Sequence, residues 1–228
     1  MESSHSSHLE DSRNAILKDG FFTSQDPLLG ANIEKMDEDA VPFASARGLN
    51  FCKDNVLDYP RIRPILESFF ERSILGLYRS IGATVGDYTF SSDPNSEAEI
   101  LLVQLWSKES TVTYWAGSHS YWLSPVRAEN SLLRVPRARL DQLGLRPTTV
   151  GFKHGGFAIL DGRTAFEASK GTAITFAFGI EAKARTWRPM RLPKSQDIER
   201  VVTQMENKSF GLNVAFIEEE EEEGEGET

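Results

Sequence analysis

The residues of this 228-residue chain that could do chemistry are few and scattered. Four histidines, His5, His8, His119 and His154, could act as bases or offer a neutral ring nitrogen to a metal. His5 and His8 lie in the polar opening MESSHSSHLEDS. His154 stands between Lys153 and Gly155-Gly156, the setting of an exposed turn. His119, after Gly117-Ser118, is the candidate general base or an unusual metal ligand, with His154 as its partner and Asp93 as a candidate catalytic carboxylate that could meet them in space; a structural or pocket-rim role is the competing reading. The single cysteine excludes an internal disulfide and a cysteine-based zinc cluster. Beside Phe51, Cys52 reads as a small buried apolar residue rather than a nucleophile.

A second group of residues suits binding. Gln104 interrupts the apolar run Ile100–Trp106, and burying its amide without a partner would cost about 1–3 kcal/mol, so it needs a neighbour or a ligand. Trp106, Tyr114, Trp115, Tyr121 and Trp122 concentrate aromatic surface, which fits either the lining of a flat, greasy ligand or plain packing. In Thr111–Trp115 strand alternation sends one of Tyr114 and Trp115 inward and the other outward. Arg163 could hold an anion in a pocket, or pair with Asp161 or Glu167.

These residues must be positioned by the elements around them. Ile62, Ile65, Leu66, Phe69, Phe70, Ile74 and Leu77 recur at three- and four-residue intervals, predicting one helix over 61–80 that backs a sheet. After Gly86 come short β-branched and aromatic runs punctuated by Gly, Pro, Asn and Ser. They predict strands at 87–90, 99–106, 111–115, 132–134, 149–152, 157–160, 164–167 and 172–180, a jelly roll or sandwich. A helical turn is expected at 137–144 and a helix at 195–206. Residues 1–13 read as frayed, 14–22 as a short buried segment and 27–39 as loop. One domain over 14–217 is expected, followed by a disordered acidic tail over 218–228.

The formal charge of −9 is concentrated in that tail. Without its eight glutamates, 26 acids face 25 Lys and Arg, and so balanced a body gives no general support for nucleic-acid binding. The tail could recruit a basic protein partner or simply aid solubility. No apolar run reaches the roughly 18 residues of a membrane span, and the opening is too polar for a secretory signal; a soluble, cytoplasmic protein is the expectation. No phosphate loop, dinucleotide-binding glycine motif or serine elbow is present.

Leu101–Trp106, Thr113-Tyr-Trp-Ala-Gly-Ser-His119 and Gly155–Phe166 form an ordered series. It resembles the core of the phytanoyl-CoA dioxygenase-like branch of the iron(II)/2-oxoglutarate oxygenases. The resemblance covers roughly 85–180 and implies a mainly β, cupin-like double-stranded β-helix with flanking helices. In that family two histidines and a carboxylate hold iron and leave positions open for co-substrate and oxygen. Here the first pair would fall near Ser91-Ser92-Asp93, where the carboxylate is present and a serine takes the histidine's place. Phe166 stands where the second histidine should be, and Lys170 is the cation nearest the place of the co-substrate arginine. The only His-x-acid pair, His8-Leu9-Glu10, lies before any predicted strand. The resemblance therefore implies a degenerate fold relative with no metal and no cofactor. Its pocket would bind a small, largely apolar molecule through Gln104, Trp106, Tyr114, Trp115, Arg163 and Lys170, with metal-independent isomerisation or cyclisation as its chemistry if it has any. An oxygenase with an atypical site of Asp93, His119 and His154 is the alternative, and a non-enzymatic scaffold using the tail a further one.

Overall fold

The computed structural model describes all residues except 1, 94–96, 129, 131 and 219–228. The acidic tail beyond Glu218 thus lies outside the described residues. The chain opens with α1 (Glu2–Asp19), β1 (Phe21–Gln25), α2 (Pro27–Glu38), α3 (Ala46–Cys52) and α4 (Arg63–Phe69). The strands β2 (Ser73–Gly82), β3 (Asp87–Thr89), β4 (Ile100–Trp106) and β5 (Ser110–Trp115) follow. Next come β6 (Val126–Arg127), β7 (Leu133–Val135), α5 (Arg137–Gln142), β8 (Pro147–Phe152), β9 (Gly156–Asp161), β10 (Phe166–Lys170) and β11 (Thr172–Gly179). The chain then runs through α6 (Glu181–Ala184), β12 (Met190–Pro193), α7 (Gln196–Met205), β13 (Phe210–Leu212) and β14 (Val214–Ile217).

Two six-stranded sheets face each other, one ordered β1-β9-β4-β11-β2-β13 and the other β6-β7-β3-β10-β5-β8. Side chains from both meet in the space between them, among them Leu102, Trp106, Tyr114, Phe152, Leu160 and Phe166. The outer face of the first sheet packs under α1–α4 and α7 through Ile16, Ile33, Leu66, Leu101, Phe176 and Val202. This is a mainly β jelly roll with flanking helices. Its short reversals, at 83–86, 107–109, 153–155 and 171, gather at one end of the barrel; the longer connections, at 90–99, 116–146 and 162–165, gather at the other.

Each of the eight expected strands is present, within a few residues of its expected bounds. The helix expected over 61–80 is not continuous. It stops at Phe70, whose backbone is extended, and Ser73–Gly82 becomes a central strand. Both faces of β2 are covered, so its apolar residues lack the alternation that marks a half-exposed strand, and a bulge near Gly76 breaks the period further. The frayed opening gives way to α1: Ser12 and Ile16 are buried, and Arg13 donates to Ser68 O at 2.9 Å while lying over the Phe69 ring. The loop expected at 27–39 is largely α2, capped by Asp26 accepting from Leu29 N and started by Pro27.

Candidate functional site

The inner face of the first sheet presents a transverse row of residues. Register pairs Thr23 with Ala158, Ala158 with Gln104, Gln104 with Thr175 and Thr175 with Arg79. The inward direction follows from strand neighbours: Leu102 and Trp106 beside Gln104, Ala173 and Ala177 beside Thr175, and Leu77 and Ile81 beside Arg79 all pack in the inter-sheet cluster. Gln104 and Thr175 are fully buried.

Gln104 is held from one side. Trp106 Nε1 donates to Tyr114 Oη at 3.1 Å, and that hydroxyl donates to Gln104 Oε1 at 2.9 Å. An indole only donates, so the phenol accepts from it and has its own proton to pass on. This chain of bonds turns the amide oxygen toward Tyr114 and leaves Nε2 without a partner among the described residues. Thr175 Oγ1 and Arg79 Nε are likewise buried without partners; the outer guanidinium nitrogen of Arg79 donates to Asn130 O at 2.6 Å. Burial pushes the Tyr114 phenol far above its ordinary range, so it stays neutral and cannot serve as a base near neutral pH. Phe21 stacks on Tyr114 and Phe152 on Trp106, closing the aromatic wall.

At the long-loop end, Trp187 packs against the inter-sheet cluster. Its ring lies so near the backbone of β2 that a Cβ on Gly76 would fall 2.2 Å from it, and it meets Phe90 edge-on at 5.4 Å. Arg163, expected as an anion holder, is engaged by Asp161 through Nε at 2.8 Å and Nη2 at 2.7 Å, both side chains being largely buried. Of the two readings of Arg163, the structure places it in the ion pair. Asp93 is half-exposed, 3.5 Å from Lys183.

Other candidate residues lie elsewhere. Trp115 takes the outward position on β5, donating to Asp87 at 2.6 Å and packing with Leu123, Val135, Leu140 and Ala165. It is thus separated from the inter-sheet space that Tyr114 lines, because neighbouring strand residues face opposite ways. Lys170 is exposed beside Glu109, at the end of the barrel away from the loop carrying Asp93. His119 lies between the end of α1 and the 162–165 loop, its Nε2 3.2 Å from Leu17 O and its Nδ1 facing Gly20 and Thr164. The Nε2 contact joins the β5–β6 connection to α1, and Nδ1 is buried without a partner among the described residues. His154 sits in the β8–β9 turn against Gly30, one barrel length from Asp93. Asp93, His119 and His154 are therefore not brought together. Arg79 and Thr175 were not singled out from sequence: Arg79 falls in the stretch read as helix, and a threonine in a strand carries no signal of its own.

Iron does not fit the residues at the family's positions. The Phe166 ring is buried among the inter-sheet apolar side chains and has no donor atom. Ser91 gives its backbone N–H to Gly162 O. Among the described residues no group of three or more His, Cys, Asp or Glu could hold a metal. His8 and Glu10 lie on α1, which packs on the outer face of the first sheet.

No family model matches the sequence, and no curated protein matches it. Solved structures do. The epimerase SnoN, in complex with Fe3+, alpha ketoglutarate and nogalamycin RO, is 10% identical over 76% of this chain and 84% of its own, with a TM-score of 0.52. AviO1 from Streptomyces viridochromogenes Tue57 is 11% identical over 76% and 95%, at 0.51. The apoform of EctD from S. alaskensis is 10% identical over 74% and 76%, at 0.53. At such identities the likeness is one of fold, and it agrees with the strand order: the chain has a cupin-like jelly roll.

Proposed function

We propose that this chain is a degenerate relative of the phytanoyl-CoA dioxygenase-like enzymes that binds a small, largely apolar molecule in its barrel without iron. The observation that carries this reading is the buried polar row on the inner face, where Gln104 and Thr175 keep unpartnered atoms inside an otherwise apolar, aromatic interior. Leaving such atoms dry is costly, and a ligand is one way to satisfy them. The barrel of the fold and the position of the row between its sheets support the same reading.

The side chains in that row orient and polarise rather than exchange protons. Tyr114 is held neutral, and amide, hydroxyl and guanidinium groups are poor bases at neutral pH. Binding is therefore favoured over catalysis; any isomerisation or cyclisation would be steered by shape and by these donors. The test is metal analysis of the chain purified from iron-supplemented cells, together with native mass spectrometry. A copurifying small molecule with no stoichiometric iron is expected. Stoichiometric iron with turnover of 2-oxoglutarate would overturn the reading.

A further inference from the structure

All three orphaned polar atoms in the row can donate, and two of them can do nothing else, which narrows the ligand. The Arg79 Nε–H and the Gln104 amide nitrogen can only donate, and the Thr175 hydroxyl can donate as well. They stand on three consecutive strands, β2, β11 and β4, about 4.8 Å apart from strand to strand. We propose that Arg79, Thr175 and Gln104 form an acceptor site inside the barrel, and that the molecule bound there presents a carboxylate to them with its apolar remainder against the aromatic wall. This inference rests on the proposed barrel-binding function and adds the polarity of the ligand to it.

Three further observations agree. Two other guanidiniums packed against the barrel have carboxylates: Arg163 has Asp161, and Arg137 has Asp87 and Glu167. Among the described residues no carboxylate pairs with Arg79, which meets only the carbonyl of Asn130. Burial pushes the Arg79 pKa down, as expected for a cation whose charge is not compensated nearby. The Trp106–Tyr114–Gln104 relay fixes which end of the amide is offered, so Gln104 presents a donor to the site, beside the donor of Arg79 and a hydroxyl that can donate. An acceptor placed beside Thr175 is within reach of strands on both sides, and apolar neighbours along each strand strengthen its bonds.

The probe is acetate, compared with chloride at equal ionic strength, read by thermal melting and by the line width of 13C-labelled acetate in NMR. Saturable acetate binding that raises the Tm is expected. Arg79→Met and Thr175→Val should each weaken it about tenfold or more, the effect of losing one bond to a charged group. Thr175→Val is nearly isosteric, and without acetate its Tm should equal or exceed that of the unsubstituted chain, because an orphaned hydroxyl has been removed. If Arg79→Met folds poorly, Arg79→Lys keeps the charge while removing the Nε–H, and should also weaken binding. Acetate with no saturable effect, or full binding retained in Arg79→Met, overturns the acceptor site. A copurifying neutral molecule that acetate does not displace would sink this inference while leaving barrel binding intact, whereas stoichiometric iron with turnover would sink the function beneath it.

Discussion

Tyr114 and Trp115 are neighbours on β5, yet they belong to two networks of opposite character. Outside the barrel, Trp115 Nε1 donates to Asp87, and Arg137 donates to both Asp87 oxygens and to Glu167. Arg137 also lies over the Trp115 ring at 4.8 Å. Burial pushes the Asp87 carboxyl up, but the indole and the guanidinium oppose this by favouring its charged form. Inside, Tyr114 joins Trp106 to Gln104, and there the relay stops at an amide nitrogen with no partner among the described residues. A closed network of this kind holds loops to a sheet; an open one in the same fold points to something the chain does not itself supply.

The contrast can be broken most forcefully from the closed side. Asp87→Ala strands a buried indole N–H and removes the arginine's best partner, so a loss of about 3 kcal/mol is expected in urea unfolding. Acetate affinity should stay unchanged in the folded fraction. A loss below about 0.5 kcal/mol would mean that the outer network is not structural.

Tyr114→Phe breaks the open side. It removes the acceptor of the Trp106 indole and the donor to Gln104 Oε1, at an expected cost of about 2 kcal/mol. Unlike Asp87→Ala, it should also disturb acetate binding, because nothing then fixes the orientation of the Gln104 amide. Loss of stability with unchanged acetate affinity would show that the relay does not set the site.

The same contrast explains what could be read in advance. The strands after Gly86 were legible because turn residues separate short β-forming runs, and Gln104 was legible as one amide in an apolar run. Arg79 was hidden because Ser73–Gly82 is covered on both faces and continues a helical spacing begun by Ile62 and Ile65. Which of Tyr114 and Trp115 faces inward depends on the sheet's register against its partner, which no pattern within five residues contains. His119 and Arg163 looked available because the groups that engage them, Leu17 O and the Asp161 carboxylate, become visible only once the backbone is folded.

The smallest expected effect separates the row from the position that the family resemblance implies for a co-substrate. Lys170 is about two-thirds exposed and 4.0 Å from an equally exposed Glu109, an arrangement that adds little to stability. Lys170→Gln should therefore change the unfolding free energy by less than about 0.5 kcal/mol. It should leave acetate affinity within about twofold, where Arg79→Met weakens it tenfold or more. An equal loss in both variants, measured by the same titration, would move the anion to the β10–β11 turn and leave Gln104 and Thr175 as buried groups satisfied by water.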